Sequence, residues 1–433
     1  MKAVATLTPS LRPSARGALA ALVVLLLALA ALLFLRPLSG SHRASSGSLE
    51  AGTPLLLAPV GEAPSPSLAV QHTGLVLLDA RTGSVRNRFT FSEPNEVIRG
   101  YLLPGGVQVL LYRAPLETNA TTYPSLELWR VSHWTVERSV PITPDIAPVR
   151  ILAAQYPSTA GQTPTVLDLA SDPAGHWVAV AFWSMATPYS DGTRSQLVWV
   201  TSLDLQTGQW APWVYPLPSS QTVSLLALSD RILVLAHTLR TTTRHTVANL
   251  VSLDPRNGTV LAELPLESWS VQGKPLDEDP SSPHNTFSAA LAPQVWNNRI
   301  LVVTDDLELF LIDPRSLRLV EHRPPLADRL VVGGRPYLIG DLLVLVGQSL
   351  WVLDVSNWRV MTTFPLPTIP EGNWLLAGVD TAQRTAFLLN TKEGCLRNLD
   401  LSSGTLSEPL HCNLALDYPA PLFGWPAFAT GAP

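Results

Sequence analysis

Two cysteines and three methionines are spread over 433 residues, and lysine occurs only at Lys2, Lys274 and Lys392. Two cysteines cannot build a disulfide-rich scaffold or a cysteine-ligated zinc module. The formal charge of −5 leaves no basic stripe of the kind that neutralises phosphates, so nucleic acid is not an expected partner. The nine histidines show no ligand spacing. No GxSxG elbow, phosphate loop or dinucleotide fingerprint occurs, so neither a metal nor a cofactor is expected. What is abundant is proline (39), glycine (26) and hydrophobic residues (46%), the composition of a large core cut by many tight turns.

One long apolar run exists. Ala18 to Leu35, "ALAALVVLLLALAALLFL", is uncharged and as a helix spans about 27 Å, close to the hydrocarbon thickness of a bilayer. Lys2, Arg12 and Arg16 precede it, and Arg36 and Arg43 follow, which favours an N-inside orientation. A cleavable signal peptide usually has a shorter core followed by small residues, whereas "RPLSGSHRASS" comes next here. The expected organisation is a cytoplasmic segment (1–17), a transmembrane signal-anchor helix (18–35), a flexible Ser/Gly linker (36–53) and an extracytoplasmic domain (54–433) on a single-pass membrane protein.

That domain repeats a pattern. "LVLLDARTGSV" at Asp79 returns as "VTSLDLQTGQW" at Asp204, "NLVSLDPRNGTV" at Asp254, "LFLIDPRSLRLV" at Asp313, "LWVLDVSNWRV" at Asp354 and "LRNLDLSSGTL" at Asp400. A degenerate copy, "LELWRVSHWTV", has Arg130 in the aspartate's place. The copies recur roughly every fifty residues, each after further short apolar runs such as "SLAVQH", "RILVLAH" and "TAFLLN", giving about four strands per unit. Seven such units predict an all-β, seven-bladed β-propeller of four-stranded antiparallel blades. The aspartate is expected to accept backbone N–H bonds across the turn between third and fourth strands, with glycine at the φ > 0 position.

These Leu-Asp and Thr-Gly turns resemble those of the quinoprotein-like and YVTN-type β-propeller repeats, a likeness covering about residues 54–430. It implies the fold and leaves the activity open, because that superfamily includes enzymes, scaffolds and binding proteins. The adjacent-cysteine pair of its dehydrogenases is absent, since Cys395 and Cys412 are far apart, and their tryptophan-rich docking motif is not evident.

Cys395 and Cys412 flank the last Leu-Asp hairpin. A hairpin centred between Ser403 and Gly404 sets them opposite one another, so a disulfide locking the last blade is expected. The inner strand of the first blade could come from "TPLLLAP" (Thr53 to Pro59) or from the C-terminal tail, which could instead complete the last blade.

Blades 2, 3 and 4 have long second-to-third loops from Arg113, Ser184 and Thr238, whereas those of blades 1, 5, 6 and 7 are short. Long blade connections start at Thr143 and Glu267. All emerge on one face, and insertions clustered on one face of a repeat fold mark a binding surface. Tyr189, Asp191, Arg194, Arg240, Arg244, His245, Asp277 and Glu278 are its candidate partner-binding residues, for a protein or small molecule. The alternative is a propeller oxidoreductase, lyase or lactonase at the central channel, with His72, His237 and Asp305 at strand ends as candidates, each more simply read as a solvated polar residue, and Asp277 to Asp279 as a weak cation site.

Overall fold

The computed structural model describes residues 54–62, 71–103, 108–115, 123–130, 135–188, 194–217, 220–240, 245–266, 291–327, 335–370, 372–380, 382–415 and 427–430. The chain divides into two compact units, Met1–Ser48 and Leu49–Pro433. The run Ala18 to Leu35 lies outside the described residues, among which no helix is long and apolar enough to cross a membrane.

The second unit is a seven-bladed propeller. Blade 1 is β26 (Ala427–Thr430), β1 (Pro54–Glu62), β2 (Gln71–Asp79) and the first half of β3 (Val85–Leu102). β3 then continues as the inner strand of blade 2, followed by β4 (Gln108–Pro115), β5 (Ser125–Arg130) and β6 (Thr135–Pro141), so the first two blades share one sheet. Blade 3 is β7 (Thr165–Ser171), β8 (Trp177–Pro188), β9 (Arg194–Asp204) and β10 (Tyr215–Leu217). Blade 4 is β11 (Ser220–Ala227), β12 (Ile232–Arg240), β13 (His245–Leu253) and β14 (Val260–Leu266). Blade 5 is β15 (Gln294–Trp296), β16 (Arg299–Val303), β17 (Leu309–Ile312) and β18 (Leu319–Arg323). Blade 6 is β19 (Tyr337–Ile339), β20 (Leu342–Val346), β21 (Ser349–Asp354) and β22 (Arg359–Pro365). Blade 7 has three regular strands, β23 (Trp374–Asp380), β24 (Thr385–Asn390) and β25 (Cys395–Asp400). Its fourth strand is reduced to two isolated bridges, Leu399 to Leu406 and Leu396 to His411, so the expectation of four regular strands fails there.

Each blade alternates its side chains between two neighbours, because successive residues of a strand point to opposite sides of the sheet. In blade 4, Ile232, Val234 and Ala236 pack against blade 3, while Leu233 and Leu235 pack against blade 5. Seven buried clusters follow, one at every blade interface, including that of Leu56, Val76 and Leu78 with Leu375 and Phe387 between blades 1 and 7. The ring is closed by the tail, with Leu55 paired to Ala429 and Leu56 to Phe428. "TPLLLAP" therefore provides the second strand of blade 1, displacing "SLAVQH" from that role, and residues 63–70 join it to the third. Leu55, Leu56, Leu57 and Ala58 are all buried, which explains why this more apolar run takes the interior position.

The Leu-Asp turns form as the sequence requires. Asp79 accepts the Arg81 N–H at 3.0 Å, Asp204 those of Gln206 and Thr207 at 2.7 and 2.8 Å, and Asp254 that of Arg256 at 2.8 Å. Gly83, Gly208, Gly258 and Gly404 take positive φ, but in blades 5 and 6 the same position is held by Leu317 (φ 51°) and Trp358 (φ 47°). Packing against the preceding blade decides which. A Cβ on Gly258 would lie 2.4 Å from the Trp213 ring of blade 3, so the tryptophan occupies that space. Trp358 instead places its own ring in the interface between blades 5 and 6.

Blades 1 and 2 show why Arg130 can replace the aspartate. Asp79 pairs with Arg86 at 2.6 Å, and Arg130 pairs with Glu137 seven residues on, the same two positions with the charges exchanged. Arg86 and Glu137 are the extra residues of β-bulges in the outer strand, as are Leu261, Val320 and Met361 in blades 4, 5 and 6. A bulge bends and twists an edge strand, which keeps the rim from pairing with another chain.

Cys395 and Cys412 are bridged, with Cα atoms 4.1 Å apart. The opposed register expected around them is that of the Leu396–His411 bridge, although nearer the turn the Leu399–Leu406 bridge shifts it by two.

Turn hydrogen bonds set an acid limit on stability. Asp313, Asp354 and Asp400 sit below the ordinary carboxylate range, chiefly through the Ser316 N–H, the Asn357 side chain and the Ser402 N–H respectively. A carboxyl depressed on folding contributes stability that is present above its unfolded pKa, about 3.9, and is lost as pH falls through the lower folded value. Thermal melts should therefore show a loss of stability below about pH 4 that shrinks in the Asp313→Asn, Asp354→Asn, Asp400→Asn triple variant. An unchanged acid limb in that variant would refute the assignment.

Candidate binding face

Second-to-third connections and blade-to-blade connections share one face; the Leu-Asp turns lie on the other. Pro54 belongs to the turn face, since its carbonyl accepts the Ala80 N–H at 2.9 Å. On the opposite face the blades differ in height. β16 and β17 of blade 5 have 5 and 4 residues, whereas β12 and β13 of blade 4 have 9 each and β8 and β9 of blade 3 have 12 and 11. At about 3.3 Å per residue, β12 outruns β16 by roughly 13 Å. What the sequence suggests as long loops in blades 3 and 4 is thus largely continuous hairpin.

The stalk of the blade 3 hairpin is braced from below. Phe182 stacks on Trp199 with ring centroids 4.5 Å apart, and the Trp199 indole donates to Ser184 Oγ at 3.1 Å. The connection from Thr143 folds into a short helix, α1 (Ala147–Gln155), which buries Val149 and Leu152 in the interface between blades 2 and 3. Beyond it, Gln162 uses its side-chain amide as a strand would use its backbone. It accepts the Met185 N–H at 3.1 Å and donates to the Met185 carbonyl at 2.9 Å.

The axis of the ring is crossed by an ion pair. Asp168, fully buried on the innermost strand of blade 3, accepts from Arg335, which precedes the innermost strand of blade 6. It also accepts the Leu169 N–H at 2.8 Å and the Leu225 N–H of blade 4 at 2.7 Å. The carboxylate thus ties three blades together across the channel, an arrangement suited to rigidity. In blade 5, the turn Thr304 to Glu308 is buried: Thr304 Oγ1 donates to Asp306 and accepts the Glu308 N–H at 2.9 Å, and Glu308 Oε1 lies 2.7 Å from His322 Nε2.

The residues predicted for the binding face divide by position. Arg240 and His245 are register partners closing the blade 4 hairpin, and Arg194 pairs with Pro188 at the top of blade 3. Tyr189, Asp191, Arg244, Asp277 and Glu278 lie outside the described residues, as does Asp279. His72 pairs with Asn95 between β2 and β3. His237 and Asp305 are 7% and 4% exposed, so the expectation of solvated polar side chains is wrong for both. His237 lies inside β12, which runs on to Arg240, and Asp305 lies in the buried turn after β16, placements that a single repeat does not reveal. Asp168 and Arg335, 167 residues apart, carried no local sequence signal.

No family model matches the chain, and no curated protein does. The chain is similar to several solved structures. BamB from Moraxella catarrhalis is 11% identical with a TM-score of 0.39 over 72% of this chain and 86% of its own. The β-propeller domain of Cps50 (Swd1) from Myceliophteria thermophila is 12% identical, with a TM-score of 0.44 over 73% of this chain and 86% of that one. The dihydro-heme d1 dehydrogenase NirN, solved in complex with DHE, is 12% identical with a TM-score of 0.44, covering 89% of this chain and 76% of that one. The resemblance to propeller repeats holds at the level of fold on the chain's own sheet topology.

Removing the axial carboxylate should be costly. Asp168→Ala leaves two buried N–H groups and a guanidinium without their acceptor, at about 1–3 kcal/mol for each buried donor. Asp168→Asn retains an acceptor oxygen and should lose less. Equal stability of the two variants in urea unfolding would contradict this role.

Proposed function

We propose that the chain is a membrane-tethered, extracytoplasmic β-propeller serving as a binding or scaffold module, and that its partner docks on the hairpin face of blades 3 and 4. The observation that carries this reading is the unequal height of the blades. Blade 5 joins the ring with strands of 5 and 4 residues, so the extra length of the strand pairs in blades 3 and 4 is available for recognition. Register supports the choice of residues. Arg194, Arg240 and His245 lie on the prolonged ends of β9, β12 and β13, with Arg240 and His245 paired across the hairpin. Two arginines and a histidine at such positions favour an acidic partner surface.

The tethering rests on the uncharged run Ala18 to Leu35. The disulfide fits an oxidising compartment outside the cytoplasm. The chain enters the ring at Pro54 on the turn face, so the hairpin face is clear of that entry point.

On this reading the full chain should fractionate with membranes in high salt, while residues 54–433 alone should stay soluble. A mature N-terminus found beyond Leu35 would exclude the anchor.

Proximity labelling in the native envelope should identify the partner. Replacing Arg240, Arg244 and His245 with Ala should alter folding stability by no more than about 0.5 kcal/mol per site and weaken capture of that partner at least tenfold. The control changes Arg256 and Arg315 in exposed Leu-Asp turns; Arg81 is unsuitable because it is bound to Asp380 of blade 7. Capture abolished by the control and retained by the triple variant would place the interface on the wrong face.

A further inference from the structure

The seam where the ring closes, between blades 7 and 1, lies beside the one disulfide of the protein. In blades 2, 4 and 6 the outer strand is laddered to its neighbour along its length. In blade 7 the corresponding segment has two isolated bridges, and Cys395 and Cys412 are joined where a ladder would otherwise run. The segment tied down by this bond also binds blade 1. Leu414 bridges to Val60 and the Ala415 N–H donates to the Pro59 carbonyl at 2.9 Å, while within blade 7 the Leu414 N–H donates to the Gly394 carbonyl at 2.9 Å. From there the chain departs to β26, whose register with β1 is only four residues long. The covalent bond, together with these hydrogen bonds, anchors the segment from which the chain continues toward the closing strand.

We propose that the Cys395–Cys412 bond is a redox-dependent latch on ring closure: oxidised, it holds the 406–415 segment and β26 in place, and reduced, it releases both while the other blades stay folded. Closure of the ring is thereby conditional on an oxidising environment. Cys412 is the more exposed partner, Cys395 being 5% exposed. A thiolate of a dithiol reductant attacks the Cys412 sulfur, Cys395 leaves as a thiolate and takes up a proton, and the second thiol of the reductant resolves the mixed disulfide. Two electrons and two protons pass to the protein, and the reductant becomes a disulfide. Closure runs the exchange in reverse with a disulfide-bearing oxidant.

Two non-covalent contacts hold the seam elsewhere and explain why the ring need not unfold. Arg81 of blade 1 binds Asp380 of blade 7 through Nε at 2.8 Å, and Asn398 Nδ2 donates to the Arg81 carbonyl at 3.0 Å. Asn398 is also bonded to Ser407, its N–H donating to Ser407 Oγ at 2.9 Å and its carbonyl accepting the Ser407 N–H at 2.7 Å, whereas the Arg81–Asp380 pair lies outside the 406–415 segment.

The test is hydrogen exchange on the purified full-length chain in detergent, oxidised and then treated with dithiothreitol after folding. We expect exchange at 406–415, 427–430 and the paired residues 54–57 to accelerate at least tenfold on reduction, with β12 and β13 of blade 4 unchanged within twofold. The Cys395→Ser, Cys412→Ser variant should match the reduced protein and be insensitive to dithiothreitol. Unchanged exchange at 427–430 after complete reduction, confirmed by alkylation of both thiols, would overturn the proposal. So would an equal acceleration in every blade, because the bond would then be a general stabiliser and not a latch.

Discussion

Every blade of this protein has two apolar faces, and neither can be left in water. A sheet buried on both sides must be followed by another, and a stack of such sheets ends only by meeting its own beginning. Closure is therefore the constraint on which the architecture depends. It is met by sending the C-terminal residues 427–430 back to pair with Pro54 to Leu57, which completes the cluster of Leu56, Val76 and Leu78 with Leu375 and Phe387. Burial at roughly 25 cal/mol per Å² of apolar surface makes each of the seven clusters a substantial share of the stability of the fold. Loss of any one exposes the facing sides of two blades.

The seam is reinforced accordingly. The disulfide, the Arg81–Asp380 ion pair and the Asn398 bond to the Arg81 carbonyl all bear on blade 7 or its junction with blade 1. Across the axis, Asp168 and Arg335 join blades 3 and 6, which lie on nearly opposite sides of the ring. Such a pair is not a large source of stability in itself, since the desolvation of two charges offsets much of their attraction. Its effect is to fix the relative position of distant blades, and a rigid ring is what prolonged hairpins need if they are to present residues in a defined arrangement.

Inter-blade packing also accounts for the irregularity of the repeats. The residue at positive φ in each Leu-Asp turn abuts the preceding blade, so glycine is required where that blade supplies a ring, as Trp213 does over Gly258. Where the turn supplies the ring itself, as at Trp358, the backbone accepts the strain in return for filling the interface. Exchange of charge between Asp79–Arg86 and Arg130–Glu137 is a variation of the same kind, two residues changing together because their side chains meet across a bulge.

The repeated Leu-Asp turn made the blades legible in the sequence, because the chemistry of that turn is local: a carboxylate, the N–H groups two or three residues on, and a residue able to take positive φ. The cysteine pair was legible for the same reason, since a hairpin sets its own register. The unequal loop lengths of blades 3 and 4 were legible from segment lengths, and the structure turns much of that length into prolonged hairpin strands. Long-range features could not be read. The sequence offers two candidates for the inner strand of blade 1, and only the closed ring selects the tail. His237 and Asp305 read as solvated strand ends in the sequence, whereas the fold buries both. Asp168 and Arg335 acquire meaning only when 167 residues of chain have been wound into a circle. Local turn chemistry and strand period act over a few residues and are written in order along the chain. Burial, closure and the axial ion pair arise from blades far apart in sequence, and only the tertiary structure could decide them.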